Sequence, residues 1–203
     1  MTTTISPETI EQTIAFHGHW CPGLAIGIRV AEWALAAMGK AGDEDIVVVA
    51  ETDMCGVDAI QFLIGCTFGK GNLIHKDFGK NAFTFYRRKD GKCARLVARP
   101  HGYGAERDRM GRLHAKMTSE GLTDGERKEW NEIRTRISSR VMDADLDELF
   151  EVKQPDGPAP QKARILSSMV CENCGEAVME SRTRRFREQT LCIPCFNHFE
   201  SRL

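Results

Sequence analysis

The chain reads as an α+β protein, a mixed sheet with flanking helices followed by a small treble-clef-like zinc-binding domain. Three observations predict this. Helical and strand patterns come in runs without regular alternation. The dipeptide Asp90-Gly91 joins two alternating apolar runs, which is a hairpin signal. Two CxxC pairs lie beyond a stretch broken by proline and glycine.

In chain order, Ser6 and Pro7 suit the N-cap and first turn of a helix that carries Ile10 and Ile14 on one face and ends near Gly18. Pro22 opens a second helix, through about Met38, with Gly39 as its stop. IVVVA (46–50) is a β-branched buried strand, VDAIQFLIG (57–65) has helical spacing, and CTFGKGN (66–72) is a glycine-rich loop. Strand patterns follow in NLIHKDF and on both sides of Asp90-Gly91. From about Ala105 to Phe150 the pattern is helical and highly charged, broken at GLTDGE, where Thr123 or Asp124 can cap the next helix. QPDGPAPQKA (154–163) then interrupts all periodicity, so the expected organisation is a core domain over 1–153, a linker over 154–164 and a metal-binding domain over 165–203. No internal repeat is present.

A chain of 203 residues, 41% hydrophobic and 28% charged, has room for one good-sized core and a satellite domain. A formal net charge of -1 gives no global attraction to nucleic acid or to an anionic membrane. The apolar runs LAIGIRVAEWALAAM and IVVVA are too short to span a bilayer, and MTTTISPETIEQT lacks the features of a signal peptide. The expectation is a cytoplasmic protein with no membrane contact. In a reducing compartment, eight cysteines point to metal ligands, reactive thiols or small buried residues rather than disulfides.

The most specific signal is CENCG followed by LCIPC. Cys171 and Cys174 form one pair and Cys192 and Cys195 another, with residues 175–191 between them. Two such knuckles deliver four soft thiolates to a tetrahedral ion while the intervening loop folds back. A closed four-thiolate site has no open position, so this zinc is structural, and a domain this small needs it to fold. The segment resembles the zinc finger of the DksA and TraR proteins over about the last 33 residues. Its basic run RTRRFR (182–187) raises a finger-mediated contact with nucleic acid or RNA polymerase. The near-zero net charge and the lack of an aromatic platform favour a solvated basic face instead.

The second signal is FHGHWCPG (16–23). If the chain is extended there, His17, His19 and Cys21 fall on one face, and Pro22 places Cys21 at a helix N-terminus that favours thiolate. Cys55 stands at a comparable strand-to-helix junction and Cys66 at the other end of the same helix. Packing or capping alone would also use such residues, but the clustering favours a metal or reactive-thiol site. Cys93, inside a strand, reads as a small core residue, and His75, His101, His114 and His198 as surface or hydrogen-bonding side chains.

FHGHWCPGLAIGIR, DMCGVDAIQFLIGCTFGKGNL and KDFGKNAFTFY, in that order, resemble the FmdE family, named after a component of molybdenum formylmethanofuran dehydrogenase. The resemblance covers about residues 10–100. It implies an α+β core with a Cys/His pocket, metal binding there and a homodimer. The family's motif residues fall on His17, His19, Cys21, Pro22, Gly23, Asp58, Gln61, Gly65, Cys66, Thr67, Gly69, Asn72, Asp77 and Lys80. No motif is recognisable in 105–150.

The pterin and iron–sulfur machinery of that dehydrogenase is not visible, and there is no CxxCxxC ferredoxin run. The resemblance therefore implies an accessory protein partnering molybdenum or tungsten enzymes. The alternative is a stand-alone enzyme in which Cys21 is nucleophile or metal ligand and His17 or His19 the acid and base. The expected core site has His19, Cys21 and Cys66 as ligands to a second metal, zinc by donor type, with an open fourth position. In this expectation His17 stands behind the ligands, orienting one of them or shuttling a proton, and Cys55 is the runner-up thiolate.

Overall fold

The computed structural model describes residues 3–43 and 45–201. It divides into two compact units, one ending at Lys162 and the other beginning at Ala163. No helix among the described residues is long and apolar enough to cross a membrane.

In the first unit, α1 (Pro7–His17) starts where the Ser6 hydroxyl accepts from the Thr9 N–H, and stops where Gly18 takes a left-handed φ of 93°. The chain then runs extended into α2 (Pro22–Met38), with Cys21 as N-cap. This helix is apolar around nearly its whole circumference, and it is accordingly enclosed. It packs on α3 (Gly56–Ala59), α5 (Asp124–Asp143) and the sheet, and the complete burial of Leu24 and Ile28 is worth about 1.5–3 kcal/mol each. Its one buried charged pair, Arg29 with Glu32, is supported by the Ala144 carbonyl and the Thr4 N–H.

The sheet contains β1 (Ile46–Ala50), β2 (Leu73–His75), β3 (Ala82–Arg87), β4 (Cys93–Ala98) and β5 (Phe150–Lys153), in the order β2-β1-β3-β4-β5. Only β1 and β2 are parallel, Val48 opposite Leu73; the other pairs are antiparallel. Both faces of β1 are covered. Ile46, Val48 and Ala50 join the main core beneath α2, while Val47 and Val49 pack with Tyr86 on the other side.

Two elements depart from the sequence reading. The helix expected over 57–65 is α3 alone, which widens into a π-helical turn at Ile60–Ile64 before Gly65 turns left-handed. The helical pattern expected to run to Phe150 ends earlier: α4 (Arg107–Ser119), α5 and α6 (Leu146–Leu149) are followed by β5. FEVK is too short for its period to be distinguished from the charged helical pattern before it, and it pairs with the free edge of β4. Thr123 and Glu126 form a capping box at the start of α5.

The second unit is small. A two-stranded pair, β6 (Ser168–Val170) and β7 (Ala177–Met179), flanks the CENCG knuckle. A second hairpin, β8 (Thr183–Phe186) and β9 (Gln189–Cys192), leads into α7 (Ile193–Glu200). Its turn is held by Arg187 and Glu188 at positive φ. Among the described residues of this unit, Leu191 is the only buried hydrophobe apart from Cys171 and Cys192, with Phe186 and Phe196 edge to face at 5.7 Å.

Candidate metal centres

In the second unit the sulfurs of Cys171, Cys174, Cys192 and Cys195 all lie within 4.8 Å of one another, close enough for one tetrahedral ion. The first pair sits in the knuckle and the second spans the β9 to α7 junction. Backbone N–H groups of Cys174 and then Cys192 hold the Cys171 thiol down at about 6, which favours the thiolate a metal requires.

The first unit builds its own cluster. His17 is the last residue of α1, and the left-handed Gly18 reverses the chain so that His19 follows with its ring centroid 4.4 Å from that of His17. Cys21, extended at φ -155° and ψ 163°, turns its sulfur to the start of α2, where it accepts from the Leu24 N–H at 3.4 Å. Cys55 arrives from β1 at the start of α3. Donor atoms of His17, His19, Cys21 and Cys55 all lie within 4.8 Å of one another.

Glycine makes this convergence possible. A Cβ on Gly27 would stand 2.4 Å from the Cα of Gly56, and one on Gly23 would stand 3.2 Å from the Cβ of Cys55. Helices α2 and α3 therefore touch backbone to backbone, which carries the Cys55 thiol to Cys21. Burial, and next the neighbouring Cys21, push the Cys55 thiol up to about 11.

Behind the cluster, His17 Nδ1 donates to Asp58 Oδ2 at 2.7 Å, which leaves Nε2 facing Cys21 Sγ at 3.9 Å. Asp58 in turn accepts from Gln61 Nε2 at 3.4 Å, and Gln61 Oε1 accepts from the Phe68 N–H at 3.3 Å. Three positions that the sequence singled out thus form one support, in which a carboxylate orients an imidazole toward the thiols. His17 is placed as a donor rather than as an outer group.

Cys66 is elsewhere. Its side chain is completely buried, its thiol donates to the Ile46 carbonyl at 3.4 Å, and burial raises it to about 12. Asn72 fastens the same loop, donating to Asp43 and Ile46 carbonyls and accepting from the Thr67 N–H. Cys66 is therefore part of the loop's packing, and Cys55 occupies the position expected for it. Asp77 is exposed in the loop after β2, and neither it nor Lys80 belongs to the donor group.

A cavity of about 590 Å³ adjoins His19, Cys21 and Cys55. Its far wall comes from α4, α5 and the turn at Pro100–Tyr103, and includes Tyr103, Arg107, Met110, Trp130 and Arg134. Tyr103 accepts from Asn81 at 2.9 Å. His114, expected at the surface, also lines this wall and stacks on Trp130 at 5.8 Å. Burial, then His17 and Arg134, lower the pKa of His19. The sequence did contain a signal for this wall: Arg107, Met110, His114 and Met117 form one stripe at helical spacing.

The family model of FmdE, described by the molybdenum formylmethanofuran dehydrogenase operon, matches residues 16–151. The prokaryotic DksA/TraR C4-type zinc finger matches residues 164–200. A probable S-adenosyl-L-methionine-binding protein of Archaeoglobus fulgidus is 29% identical over 188 residues, covering 89% of this chain but only 50% of that protein. Among solved structures, an FmdE-like protein of tungsten formylmethanofuran dehydrogenase type, from Syntrophus aciditrophicus, has the same fold. It superposes with a TM-score of 0.61 at 24% identity, over 96% of this chain and 93% of the other.

Proposed function

Since this chain belongs to the FmdE family and carries a C4-type zinc finger, we propose that it is a metal-binding accessory protein for molybdenum or tungsten formylmethanofuran dehydrogenase-type enzymes. In this reading the finger holds a structural zinc, and the core binds a second ion that is exchanged or used. One observation carries it: two imidazoles and two thiols from three separate elements have donor atoms within 4.8 Å of one another. Mixed nitrogen and sulfur donors suit zinc first among the common divalent ions of this coordination type. His17, backed by Asp58, forms the fixed side with Cys21 and Cys55. His19 is the most exposed of the four and faces the cavity, so it is the donor placed to yield its position to another ligand.

A second reading, a stand-alone metal-dependent enzyme, is favoured by that same cavity opening onto the donors. Both readings require the ion. The test is elemental analysis of protein purified without an affinity tag. Two metal ions per chain are expected, falling to one in Cys21→Ser and in Cys55→Ser. Cys66→Ala should keep both ions and lose only about 1–2 kcal/mol of stability. Unchanged stoichiometry in the Cys21 and Cys55 variants would remove the core site.

A further inference from the structure

The wall of the cavity is cationic and lacks acid. Among its lining residues are Arg107, Arg134 and His114 but no aspartate or glutamate. The arginines elsewhere on the same helices are treated differently: Arg109 pairs with Glu129 at 2.7 Å, Arg136 with Glu106 at 2.6 Å, and Arg140 with Glu148. The two that line the cavity have only backbone partners. Arg107 donates to the Pro100 carbonyl at 3.2 Å and Arg134 to the Trp20 carbonyl at 2.9 Å, and neither has a carboxylate at ion-pair distance among the described residues. A guanidinium stays charged and carries five donors, so each keeps N–H groups free for an anion.

The rest of the lining is apolar and flat. Trp130 lies one helical turn before Arg134 on α5, and Met110 and Met117 line the same space from α4. Arg134 is fastened to the residue next to His19, which places its charge beside the donor cluster.

We propose that this cavity binds a small organic anion, its carboxylate or phosphate head held by Arg134 and Arg107 and its flat apolar body lying along Trp130 and the methionines. This rests on the reading of the core cluster as a metal centre only in so far as the anion would sit next to the ion; the anion site itself is made by α4 and α5. A cationic ligand is excluded by the same charges.

The test is calorimetric titration of the full, metal-loaded chain with phenylacetate, phenyl phosphate and benzylamine, with metal content measured in parallel. At least one of the two anions should bind and benzylamine should not, and the tighter anion identifies the head group. Arg134→Gln should weaken that anion about tenfold, as expected for loss of a charge-assisted hydrogen bond, with the metal count unchanged. Arg134→Lys should recover part of the loss, and Arg107→Gln guards against a variant that fails through misfolding. Failure of both anions to bind protein with a filled core site, or equal binding of benzylamine, overturns the proposal. Anion binding by a chain that never loads a core metal overturns the metal reading and leaves this one standing.

Discussion

His17 illustrates how a residue's role follows from its second contact. Spacing alone makes His17 and His19 equivalent, since both lie on the same face of an extended segment. The difference comes from Asp58, which takes the Nδ1 proton of His17 and leaves Nε2 directed at Cys21, whereas His19 is exposed. A carboxylate in this position fixes the tautomer and raises the basicity of the imidazole. Replacing Asp58 with alanine should therefore weaken core metal binding about 10–100-fold while leaving the finger zinc in place. Competition with a chromogenic chelator reads this directly. Unaltered affinity would mean that His17 contributes nothing to the ion.

At the scale of elements, the site depends on how closely α2 and α3 approach. Gly27 faces Gly56 with no room for a methyl group between them. Gly27→Ala should separate the two helices and cost about 1–3 kcal/mol, as inserting an extra carbon into a packed contact does. It should also lower core metal occupancy, because Cys55 rides on α3. A thermal melt combined with elemental analysis tests both; full occupancy in a destabilised variant would uncouple the helix contact from the site. Elements bounded by local chemistry were legible in the sequence. Ser6-Pro7, Pro22 and the Thr123 box mark their helix starts, and Asp90-Gly91 marks its hairpin, because caps and turns are set by residues within a few positions. What the sequence did not reveal depends on distant partners. Strand β5 exists because β4 offers it an edge, and Cys66 looked equivalent to Cys55 because nothing local says that its thiol is spent on the Ile46 carbonyl. The cavity wall was illegible for the same reason: its stripe on α4 acquires meaning only when α5 and the cluster stand opposite.

For the molecule as a whole, the two units have different grounds for being folded. The first has a continuous apolar core around α2 and β1, built from fully buried residues such as Leu24, Ile60, Phe83 and Phe85. The second buries little besides Leu191 and two of its own cysteines, far too little apolar surface to offset the entropy of ordering its chain. Four thiols within 4.8 Å of one another supply what is missing, because metal binding in such a domain is folding free energy. The double variant Cys171→Ser, Cys174→Ser should consequently lose one zinc per chain and melt the residues from Ala163 onward. The first unit should keep its own thermal transition and its core ion. Amide exchange resolved along the chain distinguishes the two units, with protection expected to collapse in β6 to α7 and to persist in α2 and β1. If the variant keeps its full zinc content, or if protection in α2 is lost together with that of the finger, the two units are not independently stabilised and the metal is not what holds the second one together.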